Sequence, residues 1–324
     1  MFIMKAESPG PTVEKLAPKV KETAFILYTI YACLTGIMFV VLLFGDMSVF
    51  DALTTAFATA GTGGFANRGD GFASYSAYSQ IVVTVFMLLF SINFTSYYFI
   101  LRGKLKDAIT TEVRVFLTVV GVAMGVVTLN VWFGGYGNTF GETLRHSAFS
   151  VASVVSTTGF TTVDFNLWPS VAKTVLVMLM FMGACAGSTG GGMKVSRFIV
   201  MFKSARHEMQ RMLHPNQVKT MSLDKRTVEA DVIRGISMYL VAYIGVFVAS
   251  LFLISFDGFD VTTNFTAGTA TMNNIGPGLG AVGPAGNFAG FSALSKITLI
   301  FDMLVGRLEV FPMLLLFSVH TWKK

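Results

Sequence analysis

The stretch "VSTTGFTTVDFNLWP", Val155 to Pro169, lies between two apolar runs that are each long enough to enter a bilayer. It contains no His–Cys cluster, no acid–base pair and no nucleophile beside a base. Small residues and hydroxyl groups surround a single glycine, Gly159. Irregular backbone at membrane depth is tolerated only inside protein or along a watery cavity. The stretch therefore indicates a site whose chemistry is carried by main-chain atoms.

The composition predicts an integral membrane protein. Of 324 residues, 53% are hydrophobic and only 13% are charged, and the mean hydropathy is +0.65; a soluble domain of this length has more charged surface. Cys33 and Cys185 lie far apart in apolar runs and predict neither a disulfide nor a metal site. No catalytic constellation is present, so we do not expect an enzyme.

Six apolar segments predict membrane spans. They are Ala24–Phe44, Gln80–Leu101, Val113–Phe133, Val171–Gly183 (continuing as Phe198–Phe202 after an interruption), Val232–Phe256 and Ile297–His320. With a cytoplasmic N-terminus, nineteen of the 24 lysines and arginines fall on the cytoplasmic side, together with the C-terminus. Basic residues distributed over several loops in this way do not form a nucleic-acid-binding face, so we expect membrane lipid and no nucleic acid as partners.

Three repeats organise the chain. Each has a spanning helix, a shorter stretch, a glycine-bearing loop and a second spanning helix; the short stretches are Ser48–Ala60, Thr139–Val155 and Asp260–Met272. Each stretch opens on a helix-capping residue. About 12 helical residues span only about 18 Å, too little to cross about 30 Å of hydrocarbon. Amphipathic helices on the membrane surface are the alternative, but three units in register favour re-entrant pore loops.

The loops after these stretches are candidate cation sites. A dehydrated cation regains oxygen contacts from a ring of backbone carbonyls, and glycine adopts the required backbone angles at least cost. Threonine hydroxyls would add oxygens. With Gly64, Gly159 and Gly276 aligned, the candidate filter residues are Thr62, Gly63, Gly64, Thr157, Thr158, Gly159, Asn274, Ile275 and Gly276.

These loops, with "AESPGP" (Ala6–Pro11), "GACAGSTGGGMK" (Gly183–Lys194) and "GRLEVFP" (Gly306–Pro312), resemble the Trk/Ktr/HKT superfamily of potassium transporters. The resemblance implies an all-α integral membrane fold, with helix–pore loop–helix units around a potassium-selective pore, in a bacterial inner membrane. It implies K⁺ as the transported ion and no organic cofactor. It also implies a homodimer that works with a cytosolic, nucleotide-binding regulatory subunit of the TrkA or KtrA type.

The number of units departs from that family. Family members carry four, whereas three are found here, at 24–111, 112–231 and 232–324, after an expected cytoplasmic segment at 1–23. The opening "AESPGP" resembles a start just after a first unit. Two alternatives therefore stay open: a truncated pore fragment that does not conduct, and a Na⁺-permeable relative. Coupling to H⁺ or Na⁺, as in a symporter, also stays open.

The glycine-rich interruption of the second unit predicts a flexible loop, because each glycine costs a helix roughly 1 kcal/mol relative to alanine. By resemblance this loop is a gate, and the gating residues are Gly187, Gly190, Gly191, Gly192, Lys194 and Arg307. An ordinary loop to the cytoplasm is the alternative.

Arg307 lies within the last predicted span, where an arginine should face protein or water and would act as a barrier to cations. A structural ion pair with Asp302 or Glu309 is the alternative, and the two roles are compatible. The segment Lys203–Arg234 mixes both charge signs. It is either a solvated linker or the surface where a regulatory subunit docks.

Overall fold

The computed structural model of the chain describes residues 20–214, 221–224 and 226–318. The motif at Ala6–Pro11, most of the expected segment 1–23, and His320 at the end of the last predicted span lie outside these ranges. The helices are α1 (Val20–Leu43), α2 (Val49–Ala60), α3 (Ala77–Phe90), α4 (Phe94–Leu101), α5 (Leu105–Ala108), α6 (Thr111–Phe133), α7 (Phe140–Val155), α8 (Ser170–Met182), α9 (Val195–Leu213), α10 (Ala230–Ile254), α11 (Val261–Met272), α12 (Ala293–Leu308) and α13 (Val310–Leu316).

Short 3₁₀ turns lie at Phe165–Leu167, Ser255–Asp257 and Gly280–Val282. In the described ranges, the one β element is an antiparallel hairpin of two-residue strands, β1 (Ser222–Leu223) and β2 (Arg226–Thr227). The predicted all-α membrane fold is confirmed, with this hairpin as a small addition.

Among the described residues, three helices are long and apolar enough to cross a membrane by themselves. They cover Lys21–Leu43, Thr111–Phe133 and Ala230–Asp257. Each opens one of the three predicted units, and each has few buried positions because its outer surface is suited to lipid. The chain is therefore a multi-pass membrane protein built around these helices.

The short helices α2, α7 and α11 begin where their caps predict. Ser48, Thr139 and Asp260 each accept a hydrogen bond from the backbone N–H three residues later, at 3.0, 3.2 and 3.1 Å. These bonds satisfy N–H groups that the first helical turn leaves unpaired. Helices α2 and α11 contain 12 residues each, which leaves them too short to cross a bilayer.

The predicted continuous span Gln80–Leu101 is wrong. Helices α3 and α4 meet at a bend of 92° between Phe90 and Phe94. The side chain of Asn93 caps α4, and the glycine-rich loop of the second unit binds the backbone groups freed by the bend. There Cys185 N donates to the Ser91 carbonyl (3.0 Å) and Phe94 N donates to the Gly187 carbonyl (3.1 Å). Since these partners are distant in sequence, hydropathy could not reveal the break.

The predicted last span, Ile297–His320, is also interrupted. Helix α12 ends at Leu308, Glu309 has a φ of 71°, and α13 starts at Val310. A left-handed backbone at a residue other than glycine is unfavourable and needs support from its surroundings. An ion pair between the Glu309 carboxylate and Arg197 (2.7 Å) provides that support.

Each unit also contains one polar contact, here called a strap, between its opening helix and its closing helix. A side chain near the end of the opening helix accepts a backbone N–H at the start of the closing helix. The pairs are Asp46 with Ser76 N (2.9 Å), Asn130 with Ala172 N (3.1 Å) and Asp257 with Ser292 N (2.8 Å). The straps fix the ends of each helix pair around its pore loop.

The strap at Asp46 predicts an acid-dependent contribution to stability. Burial alone would raise the pKa of Asp46, but hydrogen bonds from Ser76 and Ser79 outweigh burial and lower that pKa to about 2. The contribution is therefore present above the unfolded value of about 3.9 and is lost as the pH falls through about 2. We expect Asp46→Ala to lower the melting temperature by about 2 °C at pH 7, and by progressively less between pH 4 and pH 2. Thermal melts of both proteins in detergent over this pH range test it; a constant difference would contradict it.

Candidate functional site

The three pore loops leave their short helices through the same turn. The residue after each helix cap is left-handed: Thr62, Thr157 and Asn274 have φ values of 50°, 59° and 56°. The next residue donates its backbone N–H to the carbonyl five positions back, as in a Schellman motif. These bonds are Gly63 to Ala58 (2.7 Å), Thr158 to Ser153 (3.0 Å) and Ile275 to Ala270 (2.8 Å). The sequence alignment of the three loops therefore coincides with a repeated backbone geometry.

The central glycines Gly64, Gly159 and Gly276 all have positive φ, at 69°, 84° and 105°. A Cβ on Gly64 would overlap the carbonyl oxygen of Thr158, and a Cβ on Gly159 would overlap that of Ile275. The three loops thus lie side by side in chain order, with backbone oxygen at each junction. In the described part of the chain, no atom lies within 4 Å of the equivalent point at Gly276, so that side of the array is open.

The carbonyl oxygens of the nine candidate filter residues differ from those farther along the loops, such as Phe160 and Thr161, which accept hydrogen bonds. Among the described residues, no hydrogen bond reaches any of the nine filter carbonyls. Thr62, Thr157, Thr158 and Ile275 are buried. Because buried carbonyls are almost always paired, those without partners here are available to another ligand. The nine belong to Thr62, Gly63, Gly64, Thr157, Thr158, Gly159, Asn274, Ile275 and Gly276.

The threonine hydroxyls of the loops, unlike these carbonyls, take part in hydrogen bonds. Thr62 donates its hydroxyl to the Thr189 carbonyl at 3.0 Å, and the Thr157 hydroxyl accepts from Gly191 N at 2.5 Å. Thr158 shares a hydrogen bond with Ser156 at 2.7 Å. In this conformation the unpaired oxygens are therefore main-chain oxygens, and two hydroxyls hold the glycine-rich loop.

The glycine-rich loop, Gly183–Lys194, breaks the closing helix of the second unit as predicted, between α8 and α9. It touches all three pore loops. Besides its bonds to the first two, a Cβ on Gly191 would lie 2.9 Å from the carbonyl oxygen of Asn273 in the third. The two ends of the loop cross where a Cβ on Gly192 would lie 2.8 Å from the Cα of Gly183. Close backbone crossings of this kind require glycine.

Arg307 lies beside this loop and donates to the Thr189 carbonyl at 3.1 Å. Its side chain is exposed. The alternative ion pairs are not formed: Glu309 binds Arg197, and Asp302 accepts from Ser250 at 2.5 Å. Sequence reasoning missed Thr189, because it takes part through its carbonyl oxygen and no side-chain signal marks that role.

Two basic residues assigned from charge to the cytoplasmic segment are buried instead. Lys194 has a φ of 72° and donates to the Gly190 carbonyl. Arg197 stacks on Tyr239, with its guanidinium carbon 3.8 Å from the ring centroid, in addition to its pair with Glu309. Both cations therefore hold the loop in place. A count of basic residues on each side of the membrane could not distinguish these buried positions from solvated ones.

Glu112 is a further residue that the sequence did not single out. It lies in the first turn of α6, where a carboxylate interacts favourably with the helix dipole. Because acidic residues are common at such positions, nothing in the sequence assigned Glu112 another role. In the structure Glu112 is buried, and its Oε1 accepts from Ala186 N (2.7 Å) and from Ser196 N (3.0 Å).

The chain is similar to known proteins over its whole length. The family described as "TrkH: Cation transport protein" matches residues 1–323. A Salmonella typhimurium protein named Trk system potassium uptake protein TrkH is 36% identical, over 100% of this chain and 68% of its own length. The Escherichia coli K12 proteins named TrkH and TrkG are 34% and 30% identical.

A solved structure supports the same relationship. The crystal structure of the potassium transporter TrkH from Vibrio parahaemolyticus superposes with a TM-score of 0.86 at 31% sequence identity. The match covers 96% of this chain and 67% of that one.

Proposed function

Because this chain belongs to the TrkH family of cation transport proteins, we propose that it is the pore-forming subunit of a potassium uptake system. The observation that carries the proposal is the set of nine carbonyls on three adjacent loops that accept no hydrogen bond from any described residue. A potassium ion that sheds water needs such oxygens in place of its hydration shell.

Two features of the fold favour a cation at this point. Helices α2, α7 and α11 all end immediately before the filter residues, so the negative ends of their dipoles lie next to it. The Schellman turns hold the loops in one conformation, which means that little ordering is needed when an ion binds. Selectivity for K⁺ then rests on backbone geometry.

The glycine-rich loop is the proposed gate. Its contacts with Thr62, Thr157 and Asn273 place it against the ends of all three pore helices. Arg307 adds a positive charge beside it. Its hydrogen bonds to Thr62 and Thr157 would have to break when the gate opens.

We extend the proposal to the repeat units, the membrane and the partner subunits of the chain. The units are 24–111, 112–231 and 232–324, in a bacterial inner membrane with both termini cytoplasmic. The subunit works as a homodimer with a nucleotide-binding regulatory subunit of the TrkA or KtrA type, which docks on Lys203–Arg234. Helix α9 joins that segment directly to the proposed gate, so a docked partner could act on the loop through it.

Uptake of radioactive rubidium into proteoliposomes tests the transport function. We expect uptake above that of protein-free liposomes, and we expect excess unlabelled K⁺ to compete more strongly than excess Na⁺. Equal competition by Na⁺ would favour the Na⁺-permeable alternative. The absence of uptake by verified, folded protein would contradict conduction by this chain.

The non-conducting alternative is favoured by one specific observation. The Gly64 and Gly159 positions are closed by neighbouring loops, whereas the Gly276 position is open among the described residues. An incomplete carbonyl ring would coordinate a dehydrated ion less well. The rubidium experiment distinguishes this case directly.

A further inference from the structure

We propose that Glu112 is a positioning residue that clasps the glycine-rich loop near its start, at Ala186, and just past its end, at Ser196, and so holds it beside the filter loops. The role deepens the proposed function, because it names what keeps the proposed gate in place. Its basis is the geometry of a single oxygen atom.

The Oε1 atom of Glu112 accepts one backbone N–H from each side of the loop. Ala186 N is 2.7 Å away and Ser196 N is 3.0 Å away, so the clasp spans ten residues of chain. Glu112 itself belongs to α6, a spanning helix that opens the second unit. The loop is thereby attached to a rigid element outside itself.

The two anchored residues lie where the loop meets its neighbours. Ala186 lies between Cys185 and Gly187, which bind the bend between α3 and α4. Ser196 precedes Arg197, which binds Glu309 at the interruption of the last span. Release of the Glu112 oxygen would therefore loosen the loop next to two of its attachments to the other units, while its contacts through Thr189 stay in place.

Burial makes the clasp effective. Glu112 has only 8% of its surface exposed, so water does not compete readily for its oxygen. Hydrogen bonds from backbone N–H groups to a carboxylate are stronger than those to neutral acceptors. Without Glu112, both N–H groups would be left without this acceptor inside the protein.

The Cys185 thiol provides a readout that is independent of transport. Cys185 is completely buried and precedes the clasped Ala186, whereas Cys33, the other cysteine, is exposed. In a parent chain carrying Cys33→Ala, alkylation by N-ethylmaleimide in proteoliposomes reports how often the loop opens. A loop that leaves its position exposes Cys185 to the reagent.

We expect Glu112→Ala to speed alkylation at least about tenfold, because hydrogen bonds to a charged acceptor shift an equilibrium by about one to two powers of ten. Glu112→Gln keeps an acceptor oxygen at the same place, although a neutral and weaker one, and should return the rate part of the way to that of the parent. The matched control is Asp231→Ala, which removes a first-turn acid from α10, another spanning helix. It should leave the rate unchanged.

Three outcomes would overturn the clasp: Cys185 protected in Glu112→Ala, no rescue by Glu112→Gln, or equal acceleration in Asp231→Ala. Melting temperatures measured on the same samples identify general unfolding, and the Gln variant still tests the role if the Ala variant does not fold. Failure of the parent to take up rubidium would count against the transport function alone, since the alkylation rates do not depend on it. Where the parent does take up rubidium, Glu112→Ala should raise the basal uptake.

Discussion

Gly159→Ser is expected to reduce rubidium uptake to the level of protein-free liposomes. At this position φ is 84°, which costs a residue with a side chain about 1–2 kcal/mol. The new Cβ would also overlap the carbonyl oxygen of Ile275, so the second and third loops would have to separate. Both effects displace carbonyls of the proposed filter. Uptake measured in proteoliposomes with matched protein content tests the prediction.

Gly276→Ser is the matched control for that variant. Gly276 is the equivalent glycine of the third loop, and its φ of 105° strains a serine as well. No described atom lies within 4 Å of the new Cβ, so the loops need not separate. We expect a smaller loss of uptake than at Gly159. Equal losses at both positions would show that backbone strain alone, and not contact between loops, explains the effect.

Arg307→Ala is expected to raise rubidium uptake about tenfold, which corresponds to lowering a barrier by about 1.4 kcal/mol. The substitution removes a positive charge from the proposed cation path and also frees the Thr189 carbonyl from one of its donors. A cation near that path repels K⁺ most strongly where water is scarce. Uptake as a function of time, compared with the unaltered chain, measures the change.

Arg307→Lys separates charge from anchoring. Lysine keeps the positive charge but presents it as a compact point charge rather than as a planar fork of donors. We therefore expect uptake close to that of the unaltered chain. If the alanine variant shows unchanged uptake, or if lysine behaves like alanine, then the charge of Arg307 does not form the barrier.

The starts of the three short helices were predicted most accurately from the sequence, because they depend on local signals. Ser48, Thr139 and Asp260 begin their helices as their capping chemistry predicts, because a cap acts within one turn. The break at Gly183–Lys194 was equally visible, since clustered glycines destabilise a helix wherever it is placed. The assignment of the nine filter residues as an ion site remains a prediction.

The sequence was least informative where distant segments meet. Hydropathy predicted Gln80–Leu101 and Ile297–His320 as continuous spans, yet both are interrupted. Apolar composition reports that a segment is suited to the membrane, but it does not report where backbone groups find partners. At the first break, the glycine-rich loop supplies those backbone partners from another unit. At the second break, Arg197 of another unit pairs with the side chain of Glu309.

Composition, apolar runs, the internal repeat and capping residues were enough to predict a helical membrane protein with three short helices that end in glycine-bearing loops. These properties depend on residues within a few turns of one another. The folded chain was needed to show that the loops lie side by side, that the glycine-rich loop contacts all three, and that Glu112 binds Ala186 and Ser196 on either side of its glycines. Each of these depends on a close approach between backbones or on a buried hydrogen bond over a long sequence separation, and such contacts leave no periodic trace in the chain.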